Sequence, residues 1–314
     1  MNVKKNTLKD SVSALPQKFA KSVPAQLTAL GIVIFVLCGF LWLNYLHKDT
    51  TNVFNGMLRG SLSTAGVTKT VSEKSEGSDF SQITQLQLGA ENFSRGRTRL
   101  TQEVNGQANI VVTETIGTPN ADFVRYADIQ VPNDPKLQEQ YKKASGIWGK
   151  SITTDDGSFK ARYFSEALLI LGIVPIGNVS ASQREGLLTY LKDNKVYTID
   201  PLKPIKKETI DGRQMYVYPV KLKLQAYVTY LQKFAGAIGL GEVPGLDPAA
   251  YANAPDTALE MAIDPLSRQL VRVTYSDNPN RKETYSAYGV VTDENLPEQT
   301  VSLSELQSKV QLLQ

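Results

Sequence analysis

The sequence contains almost no cysteine or histidine, the two residue types on which much enzyme and metal chemistry depends. Its 314 residues contain one cysteine, Cys38, and one histidine, His47, both near the N-terminus. The chain beyond residue 47 therefore excludes Ser-His-Asp and Cys-His nucleophiles, zinc sites built on His or Cys, histidine-ligated haem and internal disulfide bonds. We accordingly expect no enzyme activity, no metal ion and no cofactor.

An excess of charge of either sign is also missing from most of the chain. Residues 1–48 carry six lysines and one aspartate, whereas the remainder carries 28 basic and 30 acidic residues. A nearly neutral body lacks the basic surface that binding to a phosphate backbone needs, so we expect no nucleic-acid partner. The content of 41% hydrophobic and 21% charged residues is typical of a folded protein.

One segment contains no charge at all. Residues 27–46, LTALGIVIFVLCGFLWLNYL, are long enough as a helix to cross a hydrocarbon core of about 30 Å. The segment is longer than the core of a cleaved signal peptide, and Trp42 and Tyr45 near its end suit the membrane interface. Five lysines precede it, which places the N-terminus in the cytoplasm by the positive-inside rule.

This pattern predicts a single-pass protein of the bacterial cytoplasmic membrane. Its regions are a cytoplasmic basic tail at 1–26, a transmembrane signal anchor at 27–46 and an extracytoplasmic domain at 50–314. Cys38 lies in the middle of the anchor and does not follow a small residue. A small thiol within a membrane helix is therefore a simpler interpretation than a lipid-acceptor cysteine.

The extracytoplasmic domain is predicted to begin with a short amphipathic helix at 50–65, which ends near Gly66. From residue 67 to residue 131 the pattern changes to runs of about eight residues bounded by turn residues, which predicts an antiparallel meander. Asn105-Gly106 predicts a two-residue hairpin within this meander, because both residue types tolerate a positive φ.

The middle of the chain is predicted to be more helical. Helices are indicated at 135–144, at 163–172 and at about 183–192, the last with Ser182 as its N-cap. Strands return after residue 194.

The last third is predicted to return to strands after one more helix. Asp211-Gly212 predicts a second two-residue hairpin, and the apolar spacing at 224–238 predicts an amphipathic helix with one buried face. A loop at 236–256, three closing strands and a short helix from about 302 complete the prediction.

The run ALLILGIVPIG at 167–177 is too short to span a bilayer and unusually apolar for a surface helix. Plain hydrophobic core is the simpler interpretation. The alternative is that this run lines a cavity for an apolar ligand together with the helices at 187–191 and 224–238. On that hypothesis the lining residues are Leu168, Leu169, Leu171, Ile173, Leu187, Leu191, Tyr227, Leu231 and Phe234.

Other motifs have weaker chemical meaning. Arg95, Arg97 and Arg99 alternate along a predicted strand and share one face, which indicates either a solvated face or a contact with an anionic headgroup. The glycines at 236–241 lack both the order and the Lys-Ser/Thr of a phosphate-binding loop. No pair of carboxylates stands out, so a hydrolase built on carboxylates, Ser, Lys or Tyr stays an open alternative.

The C-terminal third carries a recognisable succession of elements. DGRQMYVYPVKL precedes a helix, and LEMAIDPLSRQLVRVTYS and KETYSAYG follow it, so the strands end in a Tyr-x-x-Tyr-Gly edge. With the order of elements before it, this succession resembles the LolA-like half-barrel superfamily, which includes the periplasmic lipoprotein carrier and the LppX/LprG-type lipid-binding lipoproteins. The resemblance implies an α+β fold in which a curved antiparallel sheet wraps a few helices around an apolar ligand site, without catalytic residues.

These observations favour a membrane-anchored extracytoplasmic protein that binds a lipid or other apolar ligand at the cell envelope and is not an enzyme. The expected partners are a membrane lipid or a lipidated molecule, with envelope proteins as further candidates. Members of the resembled superfamily usually carry a cleaved signal peptide or a lipidated cysteine, so a retained helix implies action at the membrane surface. The alternative is an envelope interaction or scaffold module in which the same sheet encloses a filled core and no ligand.

Overall fold

The computed structural model describes residues 31–42, 47–89, 92–152, 163–169, 172–240, 247–290 and 295–311. These residues belong to two compact units, one formed by residues 1–52 and the other by residues 53–314.

The first unit contains the described part of the predicted anchor. Residues 31–41 form a helix, α1, whose apolar side chains are exposed, as at Phe35 with 80% of its surface accessible. Among the residues that the structure describes, no helix reaches the length and hydropathy that crossing a bilayer needs. Both ends of the predicted span at 27–46 lie outside the described residues, so the anchor stays a prediction.

The second unit is built on one curved, unclosed sheet of 13 strands. The strands are β1 Gly66–Ser75, β2 Ser78–Gln87, β3 Phe93–Val104, β4 Gln107–Gly117, β5 Ala121–Gln130, β6 Gly149–Ile152, β7 Tyr197–Ile199, β8 Lys206–Ile210, β9 Arg213–Leu222, β10 Thr257–Ile263, β11 Leu270–Tyr275, β12 Arg281–Ser286 and β13 Val301–Ser302.

The strand order across the sheet is β13-β6-β5-β4-β3-β2-β1-β12-β11-β10-β9-β7, and β8 also pairs with β9. The named pairs are antiparallel except for β13 with β6, which is parallel. β1 pairs with β12, so the N-terminal meander and the three closing strands form one continuous surface. The predicted α+β half-barrel architecture is thus confirmed.

The remaining helices agree with most of the predicted positions. They are α2 Thr50–Ser61, α3 Pro135–Ala144, α4 Tyr163–Leu169, α5 Ala181–Asp193, α6 Leu224–Ala237 and α7 Leu303–Gln311, with a 3₁₀ turn at Pro248–Tyr251. The short strands β6 and β13 were not predicted, because four and two residues are too few to show an alternating pattern.

Both predicted hairpins are confirmed. Asn105 and Gly106 have φ values of 53° and 75°, and Asp211 and Gly212 have 49° and 75°. These left-handed conformations suit Asn, Asp and Gly, and they match the twist of the strands that they join.

Two predicted helix ends are wrong. The helix predicted at 163–172 is helical only to Leu169 among its described residues, and Gly172 and Pro175 after it favour a break. The N-cap of α5 is Ser180 rather than Ser182, since Ser180 and Gln183 form a reciprocal capping box. The Glu185 carboxylate, which has the same spacing from Ser182, instead pairs with Arg59 on α2.

The hydrophobic core lies between the sheet and α2, α4, α5 and α6. On α6 the predicted apolar face is buried, and Tyr230 and Phe234 are 2% and 0% exposed. Strands β9 and β10 contribute Tyr218 and Met261 to the same cluster. We call the face of the sheet that contacts this core the inner face.

Candidate functional site on the inner face

Register across β1 to β5 arranges the inner face in four rows, each with one residue per strand. Successive rows are two residues apart along each strand, which is about 7 Å. The first row is Val67, Leu86, Ser94, Gly117 and Asp122; the second is Lys69, Thr84, Gly96, Thr115 and Val124; the third is Val71, Gln82, Thr98, Thr113 and Tyr126; the fourth is Glu73, Phe80, Leu100, Val111 and Ile129.

Burial decreases from the first row to the fourth. Every residue of the first row is buried, whereas in the fourth row Phe80, Leu100 and Val111 are partly exposed. In the third row the same holds for the polar residues Thr98 and Thr113. One half of the inner face is therefore covered, and the other half presents accessible apolar side chains beside hydroxyl groups.

Helix α4 covers the first row through direct backbone contacts. The N–H of Tyr163 donates to Asp122 Oδ1 at 3.2 Å, and Ser94 Oγ donates to the Tyr163 carbonyl at 3.3 Å. A Cβ at Gly117 would lie 2.4 Å from the Phe164 nitrogen, so only glycine permits this close approach. Asp122 also places a carboxylate at a helix N-terminus, where backbone N–H groups favour a negative charge.

A buried polar cluster lies where β1, β11 and β12 meet. Lys69 Nζ is 3.7 Å from Glu283 Oε2, and the two side chains are 4% and 1% exposed. Tyr275 donates its hydroxyl proton to Glu283 Oε1 at 2.5 Å, and Tyr285 donates to Oε2 at 2.7 Å. We call these four residues the Lys69–Glu283 cluster.

Strand alternation places the cluster on the inner face. Lys69 is two residues from Val67 and two from Val71 along β1, so the three side chains share one face, and both valines are buried. Tyr285 is directly opposite Lys69 in the β1–β12 pair, and Glu283 is opposite Val71. The register of these two strands therefore brings the lysine, the carboxylate and a tyrosine together.

The electrostatics of the cluster are asymmetric. Glu283 accepts two tyrosine hydroxyls and also lies 3.7 Å from an Arg281 guanidinium nitrogen, whereas Lys69 Nζ has no hydrogen-bond acceptor among the described residues. Burial lowers the pKa of Lys69 to about 8, with the charge of Arg281 acting in the same direction and that of Glu283 opposing it. Burial and the Glu283 charge raise the pKa of Tyr285 well above its usual value.

The chain at residues 172–173 lies against this cluster. A Cβ at Gly172 would be 3.0 Å from the Tyr285 hydroxyl and 3.2 Å from Lys69 Nζ. Tyr227 on α6 donates its hydroxyl proton to the Gly172 carbonyl at 2.8 Å, and Tyr197 on β7 donates to the Ile173 carbonyl at 2.5 Å. Two tyrosines therefore hold the middle of the 167–177 run over the polar cluster.

Most of the predicted lining residues lie in one continuous hydrophobic cluster. Seven of them are buried there, and Ile173 packs against the cluster with partial exposure. Leu171 lies outside the described residues. The buried seven are Leu168, Leu169, Leu187, Leu191, Tyr227, Leu231 and Phe234. The structure brings these residues together, and their role in lining a ligand cavity stays a prediction.

Two of these leucines also reach surface depressions. Leu168 borders a cavity of about 160 Å³ beside Asn92 and Asn178, and Leu187 borders an open groove of about 600 Å³ between α5 and α6. In the described part of the chain, no group of three or more His, Cys, Asp or Glu side chains is placed to hold a metal ion.

The Lys69–Glu283 cluster was not predicted from the sequence. The available signal was a lysine at an apolar-facing position of the VTKTVSEKS strand, together with Glu283 and Tyr285 two residues apart. The alternation of side chains assigns each of these residues to one of the two faces of a strand. A face that carries charged residues is usually taken as the solvent-exposed one, so the sequence does not indicate a buried cluster. Only the pairing of β1 with β12 shows that these charged groups compensate each other inside.

Comparison with known proteins adds little to this description. No family model matches the sequence, and no curated protein matches it. Among solved structures, the crystal structure of LprF from Mycobacterium bovis is similar, with a TM-score of 0.40 and 13% sequence identity, over 79% of this chain and 96% of that chain. The functional argument therefore rests on the residues of this chain.

Proposed function

We propose that this is a single-pass, membrane-anchored extracytoplasmic protein that binds a lipid or another apolar ligand on the inner face of its sheet, without catalysis. The observation that carries the proposal is the fourth row, where Phe80, Leu100 and Val111 are partly exposed on the same face whose first row is fully buried.

An accessible apolar row favours a ligand with a hydrocarbon part. Burial of apolar surface contributes about 25 cal/mol per Å², or about 0.8 kcal/mol for each CH₂ group removed from water. Phe80, Leu100 and Val111 lie on neighbouring strands, so an extended chain can contact all three by crossing β2, β3 and β4. Because the sheet is unclosed, such a ligand can reach the row from the side.

The adjoining row favours an amphiphile over a plain hydrocarbon. Gln82, Thr98 and Thr113 place amide and hydroxyl groups about 7 Å from the apolar row. A polar head linked to an apolar chain matches this arrangement, since its oxygens meet donors while its carbon atoms remain on the fourth row.

The anchor and the orientation are part of the proposal. The uncharged run at 27–46, the lysine-rich tail and the exposed apolar side chains of α1 support a membrane helix with the second unit outside the cytoplasm. A tethered domain delivers or senses its ligand at the membrane surface and does not diffuse freely.

The test is to identify what co-purifies with the full-length protein. The protein is purified in detergent, analysed by native mass spectrometry and extracted with organic solvent for lipid identification. We expect about one lipid per chain in the wild type and a large loss in Leu100→Glu, which places a charge between Phe80 and Val111. Leu202→Glu is the matched control, because Leu202 is 88% exposed at a turn.

A scaffold role without a ligand is the second candidate. The observation in its favour is that seven predicted lining residues are packed into the core cluster. This candidate predicts no bound lipid in the wild type or in either variant, and that result would favour it. Lipid retained equally by Leu100→Glu and Leu202→Glu would instead show that the fourth row is not the binding site.

A further inference from the structure

A pocket is lined mainly by strand residues whose side chains lie on the face opposite to the four rows, and only Gly96 and Thr115 of its lining residues belong to those rows. The volume of this pocket is about 530 Å³. None of the third-row or fourth-row residues of the proposed ligand site lines it. Arg95 and Arg97 alternate with Ser94 and Gly96 along β3, so their side chains extend to this outer face. The lining residues are Ile83, Gln85, Arg95, Gly96, Arg97, Glu114, Thr115, Ile116, Arg125, Trp148, Asn295 and Pro297.

The described lining residues of the pocket carry an excess of positive charge. Among them, the guanidinium groups of Arg95, Arg97 and Arg125 share the pocket with one carboxylate, that of Glu114. Arg125 donates to Glu114 Oε2 from Nε at 2.8 Å and from Nη2 at 2.6 Å, and Arg97 Nη1 is 3.5 Å from Oε1. One carboxylate therefore serves two arginines, and it also orients them.

Arg95 is the arginine that this arrangement leaves for a ligand. It lines the pocket, is half-buried, and has no carboxylate partner among the residues that the structure describes. Arg97 lies two residues farther along the strand, about 7 Å away. A tetrahedral phosphate presents oxygens in several directions, so it can accept hydrogen bonds from two guanidinium groups at this separation more readily than a planar carboxylate can.

The walls of the pocket suit a carbon skeleton. Trp148 stacks with Arg125, whose guanidinium carbon is 4.6 Å from the ring centroid, and this contact fixes the position of the indole. Ile83 is 44% exposed and Pro297 also lines the pocket, so apolar surface is available beside the charges. A ligand that has both an anionic and an apolar part fits better than a bare ion.

We infer that this outer pocket binds the phosphate group of an organic phosphate, with Arg95 and Arg97 on the phosphate and the carbon portion against Ile83 and Trp148. The phosphate belongs either to a phospholipid headgroup or to a soluble organic phosphate. Both sources provide anionic phosphate oxygens to the arginines. A phospholipid headgroup presents them as a singly charged diester with acyl chains attached, and a soluble monoester such as glycerol 3-phosphate presents them with a higher charge and no acyl chains.

The test uses the fluorescence of Trp148. The chain has two tryptophans, so Trp42→Phe in the full-length protein leaves Trp148 as the reporter. The protein in uncharged detergent is titrated with glycerol 3-phosphate, with dihexanoyl-phosphatidylglycerol, and with dihexanoyl-phosphatidylcholine as a lipid without net charge.

We expect a saturable change with at least one of the two anionic probes and a weaker response to the phosphatidylcholine. Arg95→Gln should weaken apparent binding at least about tenfold, which is the usual effect of losing a hydrogen bond to a charged group. Arg99→Gln is the matched control, because Arg99 lies on the same face of β3 but does not line the pocket. That variant should bind within about twofold of the parent.

The two anionic probes distinguish the sources. Binding of glycerol 3-phosphate supports a soluble organic phosphate, whereas binding of the phosphatidylglycerol alone supports a lipid headgroup. The inference is overturned if neither anionic probe gives saturable binding, or if Arg95→Gln and Arg99→Gln weaken it equally, since that result indicates general attraction of anions to a basic surface.

Discussion

Lys69 and Glu283 form a buried ion pair in which only the side chain of the acid accepts or donates a hydrogen bond among the described residues. Lys69 Nζ lies 3.7 Å from Glu283 Oε2, and the carboxylate also accepts the hydroxyls of Tyr275 and Tyr285. The two charged residues are more than 200 positions apart in the chain but on adjacent strands. Because the ammonium group has no hydrogen-bond acceptor in the described part of the chain, the stability of the fold should depend on its protonation.

We expect the free energy of unfolding to rise with pH between about 8 and 9.5. The pKa of Lys69 is about 8 in the folded protein and 10.5 ordinarily, so between these values the unfolded chain binds more protons. Stability increases with pH wherever that holds, by about 1–2 kcal/mol over this interval. The measurement is urea-induced unfolding followed by circular dichroism at a series of pH values.

Lys69→Met is the control for this pH dependence and should remove the rise. Above about pH 10 stability should fall in both proteins, because burial raises the pKa of Tyr227 and Tyr285 and only the unfolded chain then loses those protons. An unchanged slope between pH 8 and 9.5 in Lys69→Met would show that another group is responsible.

Glu283→Gln should be strongly destabilising, by about 3–5 kcal/mol, because it leaves the Lys69 charge buried without its counter-charge. The double variant Lys69→Met/Glu283→Gln should lose less than Glu283→Gln alone. Glu260→Gln is the matched control, since Glu260 pairs with Lys206 at an exposed site, where such pairs contribute about 0–1 kcal/mol. Additive losses in the double variant would show that the two charges do not interact.

Gly172→Ala should destabilise the protein by about 1–3 kcal/mol. The new Cβ would crowd both the Tyr285 hydroxyl and Lys69 Nζ, so the chain at 172–173 or the cluster must shift. Gly186→Ala in α5 has nothing within 4 Å of its added Cβ and should be neutral or stabilising by up to about 1 kcal/mol. Chemical denaturation of the two variants gives the comparison, and equal effects would contradict the close approach.

The proposed anchor predicts that the full-length protein stays with membranes after extraction at high pH. Phe35→Lys combined with Val36→Lys should release it, because each lysine at the centre of a membrane helix costs about 3 kcal/mol. Leu202→Lys, at an exposed position of the second unit, should not. External protease should degrade residues 50–314 in spheroplasts. Protection of that region would reverse the proposed orientation.

Local features of the fold follow directly from the sequence. Asn105-Gly106 and Asp211-Gly212 form hairpins because the positive φ of those turns depends on the turn residues themselves. The alternating runs of the meander and the apolar spacing of α6 likewise indicate their elements, since side-chain period alone separates a strand from a helix.

Features that depend on distant partners were not predictable in the same way. Ser180 and Ser182 each precede a Gln or Glu by three residues, and their sequences suit capping equally well. Ser180 is the cap, and Glu185 pairs with Arg59 on a helix more than 100 residues earlier. The contact between α2 and α5 is a property of the tertiary structure.

The outer pocket and the Lys69–Glu283 cluster likewise combine features that are readable from the sequence with features that only the tertiary structure shows. The sequence by itself determined that Arg95 and Arg97 share one strand face and that Lys69 shares a face with Val67 and Val71. The alternation of side chains between two faces is a local property of an extended chain. Tertiary structure decided that the arginines line a pocket with Trp148 and that Lys69 meets Glu283. A charge can be buried only where another element supplies its counter-charge, and strand pairing across more than 200 residues brings that element into place.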